Sequence, residues 1–203
     1  MPTAAYDKRR RYGRSRARRR RGILVLLVLV VVLTALPLAL RAPDAVMRTI
    51  YPLRYEAAIK EASEKNDLEP AFVAAVIYTE SRFRPSVQSH QDAFGLMQIL
   101  PQSARYIQRN SGIEGDYRDP KVNIRLGTWF LGYLNDRYEG DERLMLAAYN
   151  SGEGSVDAWT SDEGFDIEDD IPYKETREYV DKVLEAQMTY RELYGKDLGE
   201  SGG

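Results

Sequence analysis

Apolar positions along the chain recur at helical spacing, and no stretch keeps the alternation of a half-buried strand. Tyr55 to Asn66 has the pattern of a short amphipathic helix. Pro70 opens a second, running to about Ser81, at a first-turn position that tolerates proline. A polar loop follows through about Phe94, and Pro101 and Pro120 each mark a further helix start. From Val122 the residues Leu126, Trp129, Phe130, Tyr133 and Leu134 fall on one helical face. Leu144 to Tyr149 is apolar on all sides, as expected of a helix inside a core. The acidic stretch 161–170 reads as an exposed loop, and Lys174 to Tyr194 as a last long helix. The class is all-α, without internal repeats.

One segment has a different pattern. Ile23 to Leu40 carries no charge and, at about 1.5 Å per residue, spans roughly 27 Å, close to the hydrocarbon thickness of a bilayer. Ten basic residues between Lys8 and Arg21 precede it, which places the N-terminus in the cytoplasm and everything after Arg41 outside. A cleaved signal peptide is the rival, but the run is longer than such a region and Arg41-Ala42-Pro43-Asp44 makes a poor cleavage site. The expected organisation is a basic cytoplasmic arm over 1–21, a single transmembrane anchor over 22–40, a tether over 41–54, a folded domain over 55–195 and a flexible tail over 196–203.

Charge sharpens this division. Residues 1–41 hold eleven of the 29 basic residues and one of the 31 acidic ones, leaving 18 against 30, a net −12, beyond them. An acidic body repels polyphosphate, so nucleic acid is excluded as the partner of the folded part. The absence of cysteine removes disulfides, Cys-ligated zinc and thiol nucleophiles. The lone histidine, His90, sits in the polar loop, no H-E-x-x-H exists, and the acids of 161–170 lack the spacing of an EF-hand, so no metal or cofactor is expected.

The chemistry starts with Glu80. Val73, Val76 and Ile77 occupy i, i+3 and i+4 of the helix from Pro70, and i+7 is Glu80. A carboxylate thus stands on the apolar stripe at the C-terminal end of its helix. Burial and the negative end of the helix dipole both disfavour its charge and raise its pKa toward the range of a proton donor near neutral pH. The plainer reading pairs it with Arg82 or Arg84, or points it into solvent.

Three further blocks bear on that choice. Gly95-Leu96-Met97-Gln98 and Ala148-Tyr149-Asn150-Ser151-Gly152, with Glu80-Ser81, resemble the signature motifs of the lytic transglycosylase family with the soluble lytic transglycosylase (SLT) catalytic domain. Phe83, Pro85, Ser89 and Ala93 fit the loop between the first two, and Ile171-Pro172-Tyr173-Lys174-Glu175-Thr176-Arg177-Glu178-Tyr179-Val180 is similar to the family's closing motif. The resemblance covers roughly Tyr55 to Tyr194. It implies a goose-type-lysozyme-like fold and cleavage of the MurNAc–GlcNAc β-1,4 bond of peptidoglycan outside the cytoplasmic membrane, giving 1,6-anhydro-N-acetylmuramyl ends. Glu80 would be acid and then base. Ser89, Gln98 and Asn150 would hold the sugar's amide and hydroxyl groups, Met97 and Tyr149 would shape the groove, and Tyr179 would orient Glu80.

Each has a simpler alternative: Gly95 and Gly152 as turn residues, Met97 as core, Asn150 as a helix cap, Tyr179 as packing. The chain departs from the family at Asp92, where glycine is usual. A positive φ there is tolerable, since Asp visits the left-handed region more readily than most residues. The rival functions are a hydrolysing muramidase, with Asp92 or Glu153 as a second acid, and a wall-binding scaffold without catalysis.

Overall fold

A computed structural model describes residues 44–162 and 164–199. The transmembrane segment expected over 22–40 and the basic arm lie outside the described residues. Among the described residues no helix is long and apolar enough to cross a membrane.

From Arg48 on, the described residues pack as one unit of seven helices: α1 (Glu56–Lys65), α2 (Pro70–Ser81), α3 (Pro101–Ser111), α4 (Pro120–Arg137), α5 (Glu142–Ser151), α6 (Glu153–Thr160) and α7 (Lys174–Leu198). The starts obey local chemistry. Pro70, Pro101 and Pro120 each stand in a first turn, where the missing N–H costs nothing. Asp119 and Asp141 cap α4 and α5, each carboxylate accepting two backbone N–H groups.

Helix α2 is the centre. Every residue from Ala71 to Tyr78 is buried, so the helix is enclosed on all sides and not only along the stripe of Val73, Val76 and Ile77. The neighbours explain this: α7 lies along it most extensively and α1 also packs on it. Glu80 therefore stands where α2 emerges from the core. The inner face of α7 repeats at three and four residues through Tyr179, Val180, Val183, Ala186, Gln187, Tyr190 and Tyr194.

Three expectations are corrected. The helix that follows α5 after Gly152, α6, was not foreseen, because Gly152 and Gly154 interrupt its helical pattern. The stretch read as a tether is helical over 44–50, and from Arg48 on it is bound to the domain. Arg48 pairs with Asp197 at 3.1 Å and lies over the Tyr194 ring, and the hydroxyls of Tyr190 and Tyr194 donate to the carbonyls of Pro52 (2.9 Å) and Tyr51 (2.8 Å). The expected flexible tail also begins too early. α7 continues to Leu198, whose side chain is buried on the same face as Tyr190 and Tyr194. Residues 200–203 lie outside the described residues.

The loop between α2 and α3 has only isolated bridges, Gln88 with Phe94 and Phe94 with Ile99. What fixes it is Asn123, fully buried in α4. Its Oδ1 accepts the N–H of Met97 (2.8 Å), and its Nδ2 donates to the carbonyls of Phe94 (3.0 Å) and Tyr117 (2.9 Å). Gly95 passes so close that a Cβ would meet Nδ2 of Asn123 at 2.7 Å, and its φ is +86°. Glycine is required there on both counts. The Asn123→Ala variant leaves the Met97 N–H and the Tyr117 carbonyl unpaired and removes one of the two donors to the Phe94 carbonyl, an expected loss of about 2–4 kcal/mol measurable by chemical denaturation.

Candidate active site

Helix α2 ends abruptly after Glu80. Arg82 closes it in the left-handed conformation (φ 51°) and Phe83 follows at φ 58°. Two successive non-glycine residues there are costly, and such strain gathers at functional sites. Full burial of the Phe83 ring helps to hold the turn.

Glu80 itself is half-buried. Its Oε1 accepts a hydrogen bond of 2.8 Å from the hydroxyl of Tyr179, brought from α7, 99 residues away. Neither neighbouring arginine engages it. Arg82 donates to the Tyr78 hydroxyl (2.7 Å), and Arg84 donates to the Ser81 carbonyl (2.9 Å). Burial pushes the carboxyl up to about 7, and the Tyr179 bond, which favours the ionised form, opposes this. No second carboxylate and no cation among the described residues acts on it.

Two tyrosines complete the surroundings. Burial, and then the charge of Glu80, raise the phenols of Tyr149 and Tyr179, so both remain neutral donors. The Tyr149 hydroxyl donates to the Met97 carbonyl at 2.8 Å and thereby ties α5 to the loop. Its ring lines a cleft of about 440 Å³ with Gln102, Ser103, Tyr106, Phe130 and Asn150. Asn150 is exposed, and its Oδ1 accepts from Thr176 (2.9 Å), which leaves the amide donors facing outward from that bond.

The remaining sequence-predicted residues build the loop. Met97 is fully buried against α4: a Cβ on Gly127 would meet its sulfur at 2.5 Å, and the Thr128 hydroxyl approaches that sulfur at 3.9 Å. Its side chain is core and does not line a groove, because the loop turns inward onto α4. Gln98 donates to the carbonyls of Val87 (3.1 Å) and Gly95 (2.9 Å), so its amide nitrogen is spent inside the loop and its carbonyl oxygen remains. Ser89 Oγ accepts the N–H groups of Gln91 and Ala93, closing a turn. Asp92 adopts φ 65° and accepts from the Gln88 side chain at 2.9 Å, on the surface. Sequence reasoning missed Asn123 and Thr176, although a polar residue between Val122 and Ile124 on a helix face was a visible signal.

Residues 57–171, more than half of the chain, match the family described as Transglycosylase SLT domain. The chain belongs to that family. A second match, to the soluble lytic transglycosylase helical domain, covers residues 170–198 and so takes in α7, the helix that supplies Tyr179.

The soluble lytic murein transglycosylase of Escherichia coli (strain K12) is 32% identical over 155 residues, 71% of this chain and 24% of that protein. The membrane-bound lytic murein transglycosylase C of Salmonella typhi is 32% identical over 167 residues, 68% of this chain and 46% of that protein. The chain thus spans between a quarter and a half of these relatives. The 70 kDa soluble lytic transglycosylase of Escherichia coli superposes with a TM-score of 0.70 at 29% identity, covering 77% of this chain and 27% of that one. An inactive mutant of lytic transglycosylase Slt from Pseudomonas aeruginosa gives 0.66 at 29%, covering 75% and 25%. The SLT domain is therefore all-α, as expected from the sequence, in the soluble lytic transglycosylase fold.

The raised carboxyl has a cost. Its folded pKa of about 7 stands above the ordinary 4.5, so between these values the folded state holds a proton that the unfolded chain releases. Stability is fully present below pH 4.5 and falls as pH rises toward 7. At about 1.4 kcal/mol per pKa unit, the loss is on the order of 3–4 kcal/mol. Glu80→Gln removes the titration. Denaturation at pH 5 and pH 8 should show the variant gaining on the parent at the higher pH; a pH-independent difference would contradict the burial.

Proposed function

We propose that the domain cleaves the MurNAc–GlcNAc β-1,4 bond of peptidoglycan by intramolecular transglycosylation, with Glu80 as its one catalytic acid and base. The observation that carries this is a single half-buried carboxyl, held near neutral pKa by burial and bonded through one oxygen to Tyr179. The protonated acid gives its proton to the glycosidic oxygen as the bond from C1 breaks. The resulting carboxylate takes the proton of the sugar's 6-hydroxyl, whose oxygen closes on C1 as a 1,6-anhydro ring. The proton count balances and no water enters.

Asn150 and Tyr149 border the cleft beside this acid and would contact the sugar, with Gln98 adding one carbonyl acceptor. Ser89 and Met97 would act through the loop they brace. The relatives support the reading: they are named lytic murein transglycosylases, and a Pseudomonas aeruginosa relative was solved as an inactive glutamate-to-glutamine mutant. Soluble lytic transglycosylase has also been solved with bulgecin A. We further propose that residues 22–40 anchor the domain outside the cytoplasmic membrane, which limits it to glycan within reach. The apolar run behind ten basic residues supports this, as does similarity to a protein named membrane-bound.

Full-length protein in detergent, digesting purified peptidoglycan, tests the reaction. Mass spectrometry should find anhydro ends from the parent and, from Glu80→Gln, a rate lower by about a thousandfold or more. Reducing ends would make the protein a hydrolase. Because the proton donor must be protonated, kcat/KM should fall as pH rises through about 7. Tyr179→Phe removes the bond that favours the ionised carboxyl, so this midpoint should move to higher pH; an unmoved midpoint would deny Tyr179 that influence.

A further inference from the structure

Helix α4 turns its apolar bulk inward through Ile124, Leu131 and Leu134, which are fully buried. Its outward edge is aromatic as well. Trp129 and Tyr133 are half-buried and stack at 6.0 Å with 9° between planes, and Phe130 stacks on Tyr133 at 6.0 Å and 14°. Phe130 in turn meets Tyr149 at 5.8 Å. The rings form a row from the cleft walled by Phe130 and by Tyr149, the tyrosine whose phenol feels the charge of Glu80, to a second pocket of about 370 Å³ lined by Asn66, Asp67, Trp129, Tyr133 and Asp136. Glu153 joins the two: it lines the cleft and accepts from the Tyr133 hydroxyl at 2.8 Å.

We propose that this second pocket is a remote sugar-binding position on the path of the same glycan strand, where a pyranose ring packs on the Trp129 indole. The proposal rests on the glycan-cleaving reading above and adds where an uncut part of the strand lies. The chemistry of the pocket fits that occupant. A pyranose has an apolar C–H face that buries well against an aromatic ring and a rim of hydroxyls that needs acceptors. Trp129 and Tyr133 supply the ring surface. Asp67 and Asp136, both exposed, supply carboxylate acceptors at the rim.

These rings pack against the core along one edge only: Trp129, Phe130 and Tyr133 are each half-buried and keep part of their surface open to solvent. The pocket is not a loose surface dent. A Cβ on Gly132 would meet Cβ of Asn66 at 2.9 Å, so glycine at that point lets the turn after α1 sit directly on α4.

The chain has two tryptophans, which gives a direct readout. In full-length protein carrying Glu80→Gln, to prevent cleavage, and Trp159→Phe, Trp129 is the sole indole. A β-1,4-linked N-acetylglucosamine oligosaccharide should change its emission saturably, and a free stem peptide should not. No change with the sugar, or a change with the peptide alone, would overturn the proposal. Independently, Trp129→Leu in the active protein should lower the ratio of kcat/KM on long strands to that on short fragments about tenfold, with Trp129→Phe restoring most of it. An unaltered ratio would also overturn it. If the parent cuts neither length, the cleavage reading fails, while the emission titration still reports on the pocket.

Discussion

Everything in this domain is arranged around the hydrogen bond between Tyr179 and Glu80. A carboxyl with a pKa near 7 needs removal from water, yet it must stay accessible to a substrate. The fold meets both demands by ending a wholly enclosed helix at the edge of the core. From Ala71 to Tyr78, α2 exposes almost nothing, and its last turn carries Glu80 half-buried to the edge of the core, against Tyr179. A long helix then returns along α2 and presents the phenol. That α7 is pinned at Arg191 and Gln187 to Glu69, beside the start of α2, sets its register along the helix that carries the acid.

The loop after Glu80 shows what this placement costs. Arg82, Phe83, Asp92 and Gln98 all hold left-handed backbone without being glycine, at roughly 1 kcal/mol or more each. Such a loop persists only if the rest of the structure over-determines it. Asn123 binds two of its backbone groups, Met97 fills the notch above Gly127, and Tyr149 grips the Met97 carbonyl from α5. The loop is thus braced from two helices. The acid and the aromatic wall of the cleft are fixed relative to one another through it.

How much of this the sequence reveals depends on the range of the interaction. Helix starts were legible at Pro70, Pro101 and Pro120, because a first-turn proline acts locally. Glu80 stood out by its spacing, and the left-handed backbone found at Asp92 is one that the sequence reading had counted as tolerable for Asp. Other features depend on residues far apart. Met97 reads equally as wall or core until Gly127, 30 positions later, is seen beneath it. Gln98 seems free to hold a sugar, but a turn folds its amide onto Val87 and Gly95. The segment before Tyr55 reads as a tether because its partners, Tyr190 and Tyr194, lie more than a hundred residues away. Helix α6 was hidden by Gly152 at its cap and Gly154 inside it, whose weak propensity is overridden by burial of Val156.

The choice between hydrolysis and transglycosylation turns on where a second carboxylate would stand. Inverting hydrolysis needs a base to activate water, and retaining hydrolysis with an enzymic nucleophile needs a second carboxylate at the sugar. Asp92 is exposed and already accepts from Gln88, on the outside of the loop. Glu153 does border the cleft, but one oxygen takes both the Tyr133 hydroxyl and the Arg137 guanidinium, at 2.8 Å and 3.5 Å. That oxygen is thus already engaged by two donors of the protein itself. Glu80, by contrast, has one modest donor and a buried setting, and can lose and regain its proton near neutral pH. A reaction whose nucleophile is the substrate's own hydroxyl asks for no more than that one group.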